Sequence, residues 1–207
     1  MRTDTVGEPT SYAAPMDEVY RDRWLLVVDK PAGLPSQRDR AGRPGVWELL
    51  SEREAYVGLH HRLDTAASGL LLFTLRTEAN RGIARQLQEH SMTRGYAAVV
   101  LGDPGERGSW EAPIQGKRAC THWRALERGR TSLLEVSLET GRTHQIRRHA
   151  SEAGHPLLGD RRYGGAAAGL APRLALHAQA LRLEHPVTRA PLELQSSPPE
   201  DFQAWLR

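Results

Sequence analysis

The stretch HHRLDTAASGLLL, which covers residues 60–72, places a lone carboxylate, Asp64, just before a glycine and a run of leucines. The apolar run predicts a buried strand over Gly69–Leu75. Asp64 therefore lies at the entrance of a core strand, beside small residues that a ligand can approach closely. The structural alternative is that Asp64 caps a turn or pairs with Arg62, as single aspartates commonly do.

The composition indicates a globular chain in a reducing setting. Its 207 residues allow one large domain. Apolar runs are far too short to cross a bilayer, so no membrane association is expected. Residues 1–15 lack an apolar segment and predict a disordered tail, with a single domain over 16–207. The single cysteine, Cys120, excludes an internal disulfide and favours a cytoplasmic location.

The charge balance is mildly basic and depends on arginine. The formal net charge is +3, and only Lys30 and Lys117 among the 28 basic residues are lysines. Guanidinium groups match phosphate oxygens and stack on bases, so this composition is compatible with a nucleic-acid partner. A bias in base composition toward arginine codons explains the same pattern equally well.

Hydrophobic periodicity predicts interspersed strands and helices. The predicted strands are Trp24–Asp29, Gly69–Leu75, Tyr96–Leu101, Leu133–Leu138, Leu174–Leu183 and Leu192–Leu194. The predicted helices are Val46–Leu50, a segment from an N-cap at Thr77 through His90, Thr143–Ala153 with Gly154 beyond it, and Phe202–Leu206. Because the alternation is irregular, we expect an α+β fold whose mixed, largely antiparallel central sheet carries flanking helices.

A second polar cluster follows the strand that ends at Leu138. The segment TGRTHQIR, residues 140–147, predicts a turn and then a helix on which His144 and Arg148 share a face. Helix N-terminal amides and nearby arginines can bind an anion. An ordinary basic amphipathic helix is the alternative. A later segment, LLGDRRYG over residues 157–164, contains Gly159-Asp160 and predicts a turn with a structural role.

Motifs for metal and cofactor chemistry are missing from the sequence. None of the nine histidines forms an HExxH motif, and Cys120 has no CxxC partner, so no metal site is predicted. The chain lacks the GxxxxGK[ST] and GxGxxG loops that bind nucleotide cofactors. It also lacks the GxSxG elbow of a serine nucleophile. A hydrolase that uses scattered His and Asp ligands stays open as a minor alternative, which activity in EDTA would exclude.

Several motifs in order resemble those of the RluA-type RNA pseudouridine synthases. His61-Arg62-Leu63-Asp64 followed by Ser68-Gly69-Leu70-Leu71-Leu72 is similar to the signature of that family. The segments VDKPAGL (residues 28–34), RGY (94–96), GRTHQIR (141–147), LGD with Tyr163, and LHA (176–178) match further family motifs in the same order. Ala67, Arg94 and Asp29 depart from the usual Thr, Lys and Asn.

The resemblance implies a pseudouridine synthase fold with a central RNA-binding cleft, over residues 16–207 and without an S4-type RNA-binding domain. It implies an enzyme that detaches a uridine from its ribose at N1, turns it and rejoins it through C5, with no cofactor and no metal. The substrate would be ribosomal or transfer RNA, and a monomer is expected. A catalytically inactive RNA-binding or RNA-folding module of the same fold is the alternative.

The resemblance also assigns roles to individual residues. Asp64 would be the essential carboxylate, Arg147 its cationic partner and Tyr96 the side chain against the uracil ring. Predicted RNA contacts are Arg62, His61, Arg142, His144 and Arg148. Because a base in folded RNA is inaccessible, it must be flipped out.

Overall fold

A computed structural model describes residues 16–206, and the predicted tail at 1–15 lies outside this range. The described residues form one ten-stranded sheet with four α-helices and a short 3₁₀ helix at Gly165–Gly169. The strands are β1 (Asp17–Arg21), β2 (Leu25–Lys30), β3 (Gly58–Leu59), β4 (Ser68–Thr74), β5 (Thr93–Leu101), β6 (Arg107–Trp110), β7 (Thr121–Glu127), β8 (Thr131–Leu138), β9 (Leu176–Glu184) and β10 (Pro191–Gln195). The α-helices are α1 (Val46–Ser51), α2 (Thr77–Gln88), α3 (Gln145–Glu152) and α4 (Asp201–Ala204).

The sheet is mixed and largely antiparallel, which confirms the predicted fold class. Its order is β1-β2-β4-β9-β5-β8-β7-β6, with β3 paired to β4 and β10 paired to β9. The one parallel contact in the described sheet joins β4 to β9, through Ser68↔His177 and Gly69↔Ala178. Strand β9 therefore lies in the middle of the sheet and joins the strands before α2 to those after it.

Alternating side chains of the central strands form separate cores on the two faces of the sheet. Leu71, Phe73 and Val136 pack on one face together with Leu50 of α1 and Ile146 of α3. The opposite face holds two further clusters, one with α2 and one with α4. The period of two along each strand produces this division. Tyr96 belongs to the first face, which is also the face that α3 covers.

The predicted helices all occur, with corrections at their ends. The N-cap of α2 is Arg76 rather than Thr77, which is the first helical residue. Helix α3 begins at Gln145 and not at Thr143, because His144 has a left-handed backbone with φ 55° and cannot be part of a right-handed helix. Gly154 follows the helix with φ 83°, as the sequence predicts. No helix among residues 16–206 is both long and apolar enough to cross a membrane.

Four strands have no counterpart in the sequence prediction: β1, β6, β7 and the two-residue β3. Strands β1 and β6 lie at the two ends of the sheet order, and most of their residues are exposed or half-buried. Strand β7 alternates buried and exposed residues only over its first four positions. Edge strands with one solvated face carry few apolar residues, so their signal in the sequence is weak.

Gly69 lies where β4 meets β9, and only glycine fits there. Its φ is +110°, and a Cβ atom would lie 2.4 Å from the carbonyl oxygen of Ala178. Both the backbone conformation and the contact with a neighbouring backbone exclude a side chain. The glycine that follows the Asp64 loop therefore allows the close approach of the two strands.

Gly69→Ala should lower the free energy of unfolding far more than Gly42→Ala. Gly42 also has a positive φ, +85°, but nothing lies within 4 Å of its Cβ position. Both variants carry backbone strain of about 1–3 kcal/mol, and only the first adds a clash with backbone. Urea unfolding monitored by circular dichroism measures the difference, and equal losses would contradict the proposed close approach.

Candidate active site

Asp64 lies in the loop between β3 and β4, and that loop is fixed on both sides of it. The Ala67 N–H donates to the Asp64 carbonyl oxygen at 3.0 Å and closes a turn. Before the aspartate, the Ser36 hydroxyl donates to the carbonyl of Leu63 and accepts from its N–H, at 2.9 and 3.0 Å. The Asp64 side chain keeps 23 % of its surface exposed. A held backbone therefore presents a carboxylate that solvent and ligands can reach.

Lys30 ties this loop to the segment after β2. The lysine is fully buried, although its type is usually exposed. Its ammonium group donates to carbonyl oxygens on both segments: Pro31 (2.9 Å), Leu34 (2.8 Å), Thr65 (3.4 Å) and Ala67 (2.5 Å). Burial lowers the pKa of Lys30 to about 7, and the charges of Asp64 and Asp29 oppose that shift. Sequence reasoning treated Lys30 only as part of a motif and missed this structural role.

Arg147 joins Asp64 to a second carboxylate. Its Nη1 donates to Oδ2 of Asp64 at 2.8 Å. Its Nε and Nη2 each donate to Asp160 at 2.8 Å, a two-pronged contact with Oδ2 and Oδ1. Such forked pairs fix the direction of the guanidinium as well as its position. The contact between Arg147 and Asp64 that the resemblance implies is therefore present. The ion-pair partner of Asp64 is thus Arg147, and not the neighbouring Arg62.

The sequence predicts only a structural turn at Asp160, and the structure gives it a second role. The turn is present, and the Asp160 side chain also accepts the backbone N–H groups of Arg162 and Tyr163 at 3.0 Å each. Burial would raise the pKa of Asp160, but the hydrogen bonds from Arg147 and these N–H groups outweigh it and the pKa is lowered. Hydrogen bonds likewise outweigh burial at Arg147 and raise its pKa. Both groups are thus charged at neutral pH.

Tyr96 lies on β5 with 7 % of its surface exposed. Burial raises the pKa of its phenol, Arg94 opposes the shift, and the negative charge of Asp64 reinforces it. The phenol is therefore protonated at neutral pH and can donate a hydrogen bond. An aromatic face next to a carboxylate suits a planar, uncharged ring.

His144 lies beside the carboxylate at the start of α3. Its Nε2 is 3.7 Å from Oδ1 of Asp64, and its Nδ1 is 3.0 Å from the Tyr163 hydroxyl. The guanidinium of Arg147 lies over the ring of Tyr163, 5.2 Å from its centroid. Burial lowers the pKa of His144, and Asp64 opposes this. A neutral imidazole, which can donate or accept a hydrogen bond, therefore lies within the site.

Three of the predicted RNA contacts lie around this group. Arg62 is exposed two residues before Asp64. Arg142 is exposed, and its Nε donates to the Arg118 carbonyl at 3.0 Å. Arg148 is half-buried, with its Nε 3.8 Å from Glu152 on the same helix. Their positive charges thus lie on both segments that form the site.

The position of His61 disagrees with the RNA contact predicted for it. The ring is buried, and its Nε2 accepts the backbone N–H of Leu72 at 3.1 Å. Burial lowers the pKa of His61 to about 3, with smaller contributions from Arg94 and His60. A neutral imidazole in the core serves the packing of β4. The strand begins later than this residue, so sequence alone gave no sign that His61 points inward while Arg62 points out.

Arg94 was noted in the sequence only as a replacement for lysine. It lies on β5 two residues before Tyr96, and its charge acts on both Tyr96 and His61. Its buried Nε has no hydrogen-bond partner among residues 16–206. The spacing of two along a strand places alternate residues on one face, and this rule could have identified Arg94.

Solved structures with a similar fold define the class of protein. The structure titled Human RNA Pseudouridylate Synthase Domain Containing 1 superposes with a TM-score of 0.79 at 27 % identity, and the match covers 96 % of this chain and 90 % of that one. A second structure, Human RNA Pseudouridylate Synthase Domain Containing 4, superposes with a TM-score of 0.74 at 21 % identity. That match covers 91 % of this chain and 90 % of the other. The fold is that of the pseudouridine synthases.

Sequence relatives narrow the class to a family. The model for RNA pseudouridylate synthase matches residues 24–152. A ribosomal large subunit pseudouridine synthase D from Pseudomonas aeruginosa is 38 % identical over 97 % of this chain and 73 % of its own length. A dual-specificity RNA pseudouridine synthase RluA from Haemophilus ducreyi is 32 % identical over 88 % of this chain and 93 % of its own. The chain belongs to the RluA-type RNA pseudouridine synthase family and forms pseudouridine in RNA, as the sequence motifs predict.

His61→Gln should make the stability of the protein less sensitive to acid. The folded pKa of about 3 lies below the usual 6.5, so unfolding takes up a proton between these values. Stability from the neutral ring is present above pH 6.5 and is lost as pH falls toward 3. The wild-type unfolding free energy should fall more steeply between pH 6 and pH 4, by up to about 1.4 kcal/mol per pH unit. Urea unfolding of both proteins at each pH measures this, and parallel profiles would contradict it.

Proposed function

We propose that this enzyme isomerises specific uridines in structured ribosomal or transfer RNA, with Asp64 as the essential carboxylate acting on a flipped-out base. The observation that carries the proposal is the 2.8 Å ion pair between Arg147 and the part-exposed Asp64. The name of the Pseudomonas aeruginosa relative favours ribosomal RNA as the first substrate to test.

The reaction breaks the bond between N1 of uracil and C1′ of ribose and forms a bond from C5 to C1′. C5 loses its proton and N1 gains one, so the product is an isomer of uridine. Asp64 has two possible roles that fit its position. As a nucleophile it adds to C1′ and leaves when C5 attacks; as a base it removes a proton from the sugar and later returns it. Both need an ionised carboxylate, and the guanidinium of Arg147 stabilises that negative charge.

Tyr96 holds the detached uracil while it turns. Its ring offers a face for stacking, and its protonated hydroxyl can donate to a carbonyl oxygen of the base. The apolar side chains around it, Leu63 and Ile146 among them, exclude water from that face. In a dry pocket the charges of Asp64 and Arg147 act more strongly on the reacting sugar.

The target nucleotide reaches this site by leaving its stack, at a cost of a few kcal/mol. Arg62 is exposed beside Asp64, so its side chain is available to fill the space left in the RNA or to bind a neighbouring phosphate. Arg142 and Arg148 contribute positive charge for flanking phosphates, whereas His144, 3.7 Å from Asp64, is close enough to touch the isomerised nucleotide itself. A monomeric state and a cytoplasmic location stay predictions.

Asp64→Asn should abolish pseudouridine formation and leave RNA binding nearly intact. The amide has almost the same shape but cannot act as a nucleophile or a base, so the rate should fall by roughly a thousandfold or more, which is about 4 kcal/mol in the barrier. Pseudouridine mapping of ribosomal and transfer RNA, taken from cells without the enzyme and incubated with each protein, measures the effect. If the wild type binds the RNA but forms no pseudouridine, the inactive RNA-binding module is the correct reading.

Arg147→Lys should lower kcat much more than RNA affinity. A lysine keeps one charge but cannot bind Asp64 and Asp160 at once through a planar fork. The matched control is Arg148→Lys one residue further, where a single point charge suffices for a phosphate contact, and kcat should change little. Single-turnover rates and RNA affinities of both variants test this. Equal losses of kcat and affinity in Arg147→Lys would contradict a role in supporting Asp64.

A further inference from the structure

A group of metal-binding side chains lies outside the active site, on one face of the ribbon formed by β6, β7 and β8. Cys120 directly precedes β7 and His122 is the second residue of that strand, so the two side chains, two residues apart, lie on the same side. Thr121 pairs with Leu138 in the antiparallel ladder of β7 and β8, so the next pair in register is Cys120 and Glu139. The Glu139 N–H donates to the Cys120 carbonyl at 3.2 Å. Directly paired residues share a face of a sheet. The sulfur, imidazole and carboxylate therefore converge.

The distances between the donor atoms fit a tetrahedral metal ion. Sγ of Cys120 is 3.4 Å from Nε2 of His122, which is 3.5 Å from Oε2 of Glu139. All three donors lie within 4.8 Å of one another. Bonds of about 2.3 Å to sulfur and about 2.0–2.1 Å to nitrogen and oxygen at tetrahedral angles require donor separations of about 3.4–3.6 Å. Two of the three edges already have this length.

We propose that Cys120, His122 and Glu139 form a zinc site. A thiolate and an imidazole select a borderline-soft ion such as Zn²⁺ over Mg²⁺ or Ca²⁺, which prefer oxygen ligands. Arg118 binds Oε1 of Glu139 at 2.7 Å, which leaves Oε2 for the ion. The fourth ligand is water.

The competing state is a protonated thiol that hydrogen-bonds to its neighbours. Burial raises the pKa of Cys120 to about 11, and Glu139 and Glu111 add to the shift while Arg118 opposes it. The thiol thus carries its proton when no cation is bound. Binding forms the sulfur–metal bond and releases that proton to solvent, and the two carboxylates that disfavour a bare thiolate favour a divalent cation in its place.

The site is linked to the helix that carries Arg147. The Cys120 N–H donates to the Thr140 hydroxyl at 3.0 Å, and Nε2 of Gln145 donates to the Cys120 carbonyl at 2.9 Å. Gln145 is the first residue of α3. A bound ion would hold the ends of β7 and β8 together directly beneath this helix. We therefore expect zinc to raise the thermal unfolding temperature of the enzyme, as a ligand of the native state does.

Cobalt titration of the full chain without a histidine tag tests the site. Tetrahedral Co²⁺ bound to a thiolate gives an intense near-ultraviolet charge-transfer band, and the chain has one cysteine, so the band reports Cys120 alone. We expect this band at one Co²⁺ per chain, and its loss on adding one equivalent of Zn²⁺. No band, or one ion shared by two chains, would overturn the proposal.

Two variants test the other two proposed ligands, and a third serves as the control. His122→Gln and Glu139→Gln should each weaken Co²⁺ binding at least roughly tenfold, since even outer hydrogen-bond partners of a metal site contribute that much. The control is His90→Asn, an exposed histidine with φ 58° that asparagine tolerates, and its binding should equal that of wild type. Thermal unfolding without metal verifies that each variant is folded. Wild-type affinity in either ligand variant would remove that residue from the site and refute the proposal.

Discussion

The proposed active site depends on one guanidinium that is shared by two carboxylates. Arg147 donates to Asp64 and also to the buried Asp160. The other hydrogen bonds to the Asp160 carboxylate come from backbone N–H groups. A single buried ion pair gains little net stability, since both partners lose water. The second carboxylate, Asp160, binds Nε and Nη2 of Arg147 and so fixes the orientation of the guanidinium. Nη1 then remains for Asp64. In the proposed mechanism, Asp160 therefore acts through Arg147, which it orients.

The backbone of the loop that carries Asp64 is constrained separately, by the buried amino group of Lys30. The Lys30 side chain donates hydrogen bonds to carbonyl groups of the segment after β2 and of the loop that contains Asp64. The guanidinium of Arg147 therefore positions Asp64 through its side chain, and the amino group of Lys30 positions it through its main chain. These two basic residues come from distant parts of the sequence, so the site exists only when β2, β4 and α3 have all assembled.

The sequence predicted the parts of this arrangement that carry a strong local pattern. The buried strands β2, β4 and β5 are continuous apolar runs, and the order of family motifs identified Asp64, Tyr96 and Arg147. Contacts made across the sheet have no such pattern: Asp160 looked like a turn residue, and His61 looked as polar as Arg62 although it is buried. The edge strand β6 and its neighbour β7 were missed because the polar residues on their solvated faces weaken the apolar pattern. Without these strands, the sequence could not predict that Glu139 lies beside Cys120, because only the strand register shows this contact.

The position of β9 has a consequence for how the enzyme is made. This strand is near the end of the chain and yet occupies the middle of the sheet, between β4 and β5. On the ribosome, strand β4, which follows Asp64, and strand β5, which carries Tyr96, emerge long before the strand that must lie between them. Until β9 inserts, both present unpaired edges to other chains. The nascent enzyme cannot assemble this site until β9 has been synthesised, and a chain that stops before β9 leaves the facing edges of β4 and β5 unpaired.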